Sequence, residues 1–416
     1  MSIHLSNSPT VYYNENFKTI QIRLMFPFLE KEEYIPYYQL LPSMLSYMDQ
    51  KYSTEDLFQK NRKKNYIIHI GCSKVVIGTY GCFLFDLIIP DTFTLNKNLL
   101  EEQIQFFSEM IYHPLIEEDG FNSFEFEREV SNLKLTIQNA LQNMGPYQSI
   151  RLRELVDDVG ILSRDISKYQ DQIQTITPQK LYQFYQDEII NNQPILYIMG
   201  NCKNTNIEEI CKKYLYLKEF KEREVNIDLN CFLKPRKEIL SISEKKHFKD
   251  SSFSVVYKIR NMKKDDRFYL LIIRDLLSSL SSRLLDKKLR DESDLIYSSK
   301  VVSYTHFGIL EITAYIHKKH QEEVKEKILE VMKDLENEEM VLPLFHNIKE
   351  RKRIELSRML DDKYYLFDEF IIRDLGIDFT KEDYYHFLEN LEYSNILEFL
   401  GRMVLDTFYF LEEGDQ

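Results

Sequence analysis

The strongest constraint in this 416-residue chain is an internal repeat. Segment 40–71, LLPSMLSYMDQKYSTEDLFQKNRKKNYIIHIG, and segment 270–301, LLIIRDLLSSLSSRLLDKKLRDESDLIYSSKV, pass through the same order of elements. Each opens as an apolar helix, crosses a charged stretch and enters a strand. Further on, ILYIMGN at 195–201 in the first half is matched by TFYFLEEGD at 407–415 in the second. Two tandem copies of one α/β unit are the simplest account. The expected fold class is α+β: two homologous repeats, each a mostly antiparallel β-sheet with helices packed on one face.

The periodicity fills in each copy. Val11–Tyr13, a turn at Asn14–Asn16 and Thr19–Leu24 read as a hairpin. Leu40, Leu41, Met44, Leu45 and Met48 recur at helical steps and predict a helix over 37–49. Strands are expected near Tyr66–Ile70 and Gly81–Ile89, and a helix over Leu99–Tyr112. A long helix over 124–143 presents Phe126, Val130, Leu133, Ile137 and Leu141 on one face. The second copy offers a strand at Ser252–Ile259, a helix over 266–290, strands at Ile296–Tyr304 and Gly308–Ile316, and helices over 321–336, from Pro343 and from Thr380. The charged stretch 218–237 reads as a linker, dividing the chain into domains 1–220 and 236–416.

Composition narrows the function. The formal charge of −13 disfavours contact with nucleic-acid phosphates. Glycine and proline number only 11 each, against a glycine-rich phosphate loop or a long disordered linker. The five cysteines form no C-x-x-C pair, which suggests reduced thiols in a cytoplasmic protein. The first residues show no signal-peptide pattern, and no apolar run approaches the ~18 residues that would span a membrane.

The two-repeat plan resembles that of the insulinase (pitrilysin-type) peptidase family. Active members carry an inverted zinc motif, H-x-x-E-H, on the first helix of the first domain. Its histidines bind zinc and its glutamate activates water; a glutamate on a later helix completes the ligands. Laid on that pattern, Gln39 replaces the first histidine, Pro42 the glutamate and Ser43 the second histidine. On the later helix, EREVSNLKLTIQ at 127–138, Thr136 falls at the third ligand position. Glu129 matches a family glutamate that supports the site without binding the metal. The resemblance therefore implies a degenerate site with no zinc and no base in this chain. The family also places an arginine and a tyrosine seven residues apart in the second repeat, where they bind substrate backbone and stabilise the tetrahedral intermediate. Arg290 and Tyr297, after the SSRLL of 281–285, have that spacing. An arginine fork suits a carbonyl or carboxylate, and a tyrosine hydroxyl donates to a developing oxyanion.

Around 113–144 the chain resembles the zinc-less YmfF-type branch, one half of a cytosolic bacterial pair. The resemblance implies no cofactor here, zinc in a partner subunit with intact H-x-x-E-H, and an unfolded peptide as substrate, with no nucleic-acid or membrane partner. Two alternatives remain: a non-proteolytic peptide-binding or scaffold protein, as homodimer or modification-complex partner, and a leader-peptide processing partner in peptide natural-product biosynthesis.

Other chemistry-bearing residues read as structural. His386 and Glu389 nearly spell the zinc motif, but Asn390 stands at the second histidine and the segment lies on a late helix of the second repeat. His317 and His320 read as a solvated turn, and Cys72 and Cys82 as core thiols. No G-x-S-x-G accompanies Ser43.

Overall fold

The computed structural model describes residues 2–5, 8–46, 48–77, 79–91, 99–203, 205–216, 223–226, 230–279, 283–359, 361–376 and 380–414. The expected linker lies partly, and Ser281 and Ser282 wholly, outside them. β1 (Ser2–Leu5) pairs antiparallel with β9 (Arg223–Asn226), and β6 (Ile116–Glu117) with β7 (Gly120–Phe121). The remaining strands build two five-stranded sheets. The first contains β2 (Thr10–Tyr13), β3 (Thr19–Leu29), β4 (His69–Ile77), β5 (Tyr80–Pro90) and β8 (Ile195–Gly200), in the order β2-β8-β3-β5-β4. The second contains β10 (Leu240–Lys246), β11 (Ser251–Ile259), β12 (Ile296–Tyr304), β13 (Ile309–Ile316) and β14 (Met403–Glu413), in the order β10-β14-β11-β13-β12.

The two orders correspond strand for strand, so the repeat seen in the sequence is a repeat of topology. In each sheet the first strand runs parallel to the last strand of its copy, and every other pairing is antiparallel. This corrects the hairpin expected at the start. Thr10–Tyr13 does not pair with Thr19–Leu29; β8 lies between them and pairs with both. A buried β8, apolar throughout, outcompetes a local turn because it satisfies both neighbours' backbone groups.

The helices are α1 (Ile35–Met44), α2 (Glu55–Lys64), α3 (Leu100–Tyr112), α4 (Ser123–Gln142), α5 (Met144–Val156), α6 (Pro178–Tyr185), α7 (Ile207–Leu215), α8 (Asp266–Ser278), α9 (Gln321–Asp334), α10 (Glu338–Met359), α11 (Lys363–Asp374), α12 (Lys381–Asn390) and α13 (Tyr393–Leu400). The helix expected over 266–290 is shorter. It ends at Ser278, and the chain resumes with a turn at Leu284–Asp286 and a π-turn at Lys287–Asp291.

Strand alternation sorts side chains to two faces. In the first sheet Ile20, Ile22, Leu24, Phe26 and Phe28 of β3 join Phe83, Phe85, Leu87 and Ile89 of β5 against the helices. The opposite face carries Met25, Tyr80, Cys82, Ile195, Tyr197 and Met199, covered by Phe367, Ile371 and Leu375 from the α11 region.

That covering helix comes from the other half of the sequence. One compact unit comprises residues 1–139, 164–229 and 366–377; the second comprises 140–163, 230–365 and 378–416. In the first unit Tyr197 donates to Asp374 (2.8 Å), and Arg23 links Asp86 (2.7 Å) to Asp368 (2.6 Å). In the second unit α5 covers the sheet through Tyr147, Leu152 and Val156 on Val256, Tyr409 and Leu411. Buried Gln148 donates to Ser254 (2.7 Å) and Thr313 (3.0 Å). Each repeat thus sends the helix that follows its long helix to the other repeat's sheet.

Candidate functional site

The residues singled out by the sequence fall in two places, one in each unit, and each place is built by its own elements.

In the first unit α1 begins with Pro36 in its first turn, where a missing N–H is tolerated. Tyr38, Leu41, Met44 and Leu45 bury its inner face. Gln39 is exposed, and Pro42 and Ser43 are half-buried. Proline inside a helix removes a backbone donor. Here it precedes the helix end by two residues, and its carbonyl accepts the Leu45 N–H (3.3 Å) and the Ser46 hydroxyl (2.5 Å).

Ser43 lies beside α4 and lines, with Met48, Glu125, Arg128 and Glu129, a cavity of about 10 Å³, the size of a single water. Arg128 bridges the two carboxylates: its Nη2 reaches Glu125 at 2.7 Å and its Nε reaches Glu129 at 3.0 Å. Thr136, two turns further on, is exposed, and its hydroxyl donates to the Asn132 carbonyl at 2.9 Å. The amide of Gln39 and the hydroxyls of Ser43 and Thr136 do not match the imidazole, thiolate and carboxylate donors that zinc takes. The positive charge between Glu125 and Glu129 is a guanidinium. Among the described residues no three His, Cys, Asp or Glu side chains are grouped to hold a metal ion. The sequence comparison singled out Glu129 but not Arg128; a basic residue directly before a supporting glutamate was the available signal.

In the second unit Arg290 sits on the π-turn Lys287–Asp291, a helical distortion common at functional sites. The turn is tied into the following strand by the Asp294 N–H to Arg290 carbonyl bond (3.0 Å) and the Leu295 N–H to Leu289 carbonyl bond (2.8 Å). The Arg290 guanidinium is half-exposed and lies 3.2 Å from Asp291 and 3.8 Å from Asp286. Tyr297 on β12 is 48% exposed. Its hydroxyl is hydrogen-bonded to Nε2 of His317, the rings meeting edge-on at 4.8 Å. Partial desolvation and the charges of Asp250 and Glu413 push the Tyr297 hydroxyl pKa up, so the proton stays on. His317, expected in a solvated turn, instead meets a tyrosine 20 residues away on a neighbouring strand, which local sequence does not reveal.

The remaining candidates have separate surroundings. His386 on α12 is exposed, 4.0 Å from Glu382, and borders an open cavity of 540 Å³ with Phe268, Tyr269 and Phe387. His320 pairs with Glu323 at 3.6 Å. Cys82 is fully buried, which pushes its thiol up to about 12, and burial likewise raises Cys72; neither is poised as a nucleophile. No helix among the described residues is long and apolar enough to cross a membrane.

Two sheets of identical strand order, each with helices against it, define a two-repeat α+β fold. Residues 175–351 match the family described as "Peptidase M16 inactive domain". The chain is 23% identical to the probable inactive metalloprotease YmfF of Bacillus subtilis, over 96% of this chain and 94% of that protein. A conserved protein from Enterococcus faecalis superposes with a TM-score of 0.88 at 17% identity, covering 100% of this chain and 99% of its own. A protease from Helicobacter pylori does so with a TM-score of 0.76 at 15% identity and 99% of each chain. In sequence and fold the chain is therefore similar to inactive insulinase-type (M16) peptidases of the YmfF kind.

Proposed function

We propose that this chain is the non-catalytic, zinc-less subunit of a two-chain M16 peptidase. Its partner is a homologous chain with an intact H-x-x-E-H, which supplies the zinc and the base. This chain contributes Arg290 and Tyr297 to hold the backbone of a small or unfolded peptide. The observation that carries the reading is the Arg128 bridge. At the face where a zinc peptidase gathers ligands, a guanidinium joins Glu125 to Glu129, and Ser43 and Thr136 offer only hydroxyls. Arg290 and Tyr297, by contrast, keep the residue types and spacing that peptide binding needs. The name of the Bacillus subtilis relative, a probable inactive metalloprotease, agrees with this division of labour.

The test is reconstitution with a homologous chain that carries an intact H-x-x-E-H. The purified chain alone should bind no stoichiometric zinc and cleave no peptide. The pair should hold one zinc and cleave an internally quenched unstructured peptide. Replacing Arg290 by Ala or Tyr297 by Phe should lower kcat/KM by about tenfold or more, the loss of one charge-assisted or oxyanion-directed hydrogen bond. Metal-dependent cleavage by the isolated chain would sink the proposal. So would a pair indifferent to both substitutions.

A further inference from the structure

The bond between Tyr297 and His317 joins two residues that the sequence presents separately, and strand register explains how. Ile296 of β12 lies opposite Ile316 of β13, but Ser298 lies opposite Tyr315. Two steps along β12 therefore match one step along β13, and Tyr297 is the extra residue of a β-bulge. A bulge leaves its extra residue outside the ladder and re-aims its side chain. β12 is an edge strand of the second sheet, so the re-aimed ring meets solvent. His317 follows Ile316 directly, at the end of β13, and its Nε2 reaches the phenolic oxygen.

The direction of that bond decides what Tyr297 can do. If Nε2 carries no proton, it accepts the phenol's hydrogen, and Tyr297 has none left for a substrate. If Nε2 carries the proton, it donates to the phenolic oxygen, and the phenol's own hydrogen points outward. A hydroxyl that accepts one hydrogen bond becomes a better donor of the next, because the chain polarises. An edge-strand tyrosine with half its surface in water also needs something to hold its rotamer.

We propose that His317 is a positioning residue: its Nε2–H donates to the Tyr297 oxygen, fixing the ring on the bulge and leaving the phenol hydrogen free for a peptide carbonyl. Partial burial and the charges of Asp250 and Glu413 keep the phenol protonated. The assignment rests on Tyr297 acting as a peptide-binding group, and its test separates the two ideas.

The first measurement needs no partner or substrate. In the ¹⁵N-labelled chain, two-bond proton–nitrogen spectra of the imidazoles should show His317 protonated at Nε2, with a signal that shifts in Tyr297→Phe. An unprotonated Nε2 overturns the proposal. The second uses the reconstituted pair and the quenched peptide. His317→Ala should lower kcat/KM about fivefold, the worth of one ordinary hydrogen bond, and His317→Gln, which restores a donor, should recover most of it. In a Tyr297→Phe background His317→Ala should add no further loss, since it acts through the hydroxyl. Wild-type kinetics for His317→Ala beside an impaired Tyr297→Phe would overturn the role of His317 alone. Wild-type kinetics for Tyr297→Phe would overturn the peptide-binding reading itself.

Discussion

Replacing Arg128 by Met tests whether a guanidinium is the resident cation of the degenerate site. The change keeps an unbranched side chain of similar reach and good helix propensity, and removes only the charge and its donors. Arg128 is 37% exposed, whereas Glu125 and Glu129 are 15% and 11% exposed. Solvent therefore screens the cation but only partly relieves the carboxylates. Each contact is worth about 0.5–1 kcal/mol, at the upper end of the surface range. The two carboxylates, at i and i+4 on α4, would then repel one another by about 0.5 kcal/mol. The expected loss is about 2 kcal/mol, or about 4–8 °C in the melting temperature of a unit of this size. Calorimetry should resolve it at low salt. The deficit should shrink at about 1 M NaCl, where the screening length falls to about 3 Å. An unchanged melting temperature, or a deficit that grows with salt, would refute the ion-pair account.

Asp49 offers a pH test. Its carboxyl is buried and raised, partly opposed by N–H bonds from Tyr52 (2.7 Å) and Lys51 (2.8 Å). A raised folded pKa means that its contribution to stability is complete below the unfolded value and lost as pH rises through the folded one. Asp49→Asn keeps the acceptor without the charge, so it should raise the urea midpoint at neutral pH, and the gap should close toward about pH 4. Gln148→Ala removes the side chain that spans Ser254 and Thr313 and should destabilise the second unit by about 2–3 kcal/mol, measured by urea unfolding. Phe367→Ala, at 1% exposure on the exchanged helix α11, should destabilise the first unit by about 3–5 kcal/mol; a loss under about 1 kcal/mol would argue against the exchange.

Much of the site was legible one residue at a time. The expectation that the zinc ligands are replaced at Gln39, Ser43 and Thr136 and the base at Pro42 rests on residue identity at known spacing. What fills their place was not legible in this way. Arg128 lies beside Glu129 in the chain, yet its meaning depends on α1 bringing Ser43 against α4. Tyr297 was found by its spacing from Arg290, whereas the bulge that presents it and the histidine that holds it are properties of register between β12 and β13.

The sequence by itself determined the duplicated plan, the faces that each helix and strand would bury, and the residue types at Gln39, Pro42, Ser43 and Thr136. These follow from periodicities of two and 3.6 residues and from residue chemistry, all local. Only the tertiary structure decided that β8 would separate β2 from β3, and that α5 and α11 would trade sheets. The reason is energetic. An apolar strand or helix face is satisfied by any complementary surface, and which surface it meets depends on packing and backbone pairing across distant parts of the chain.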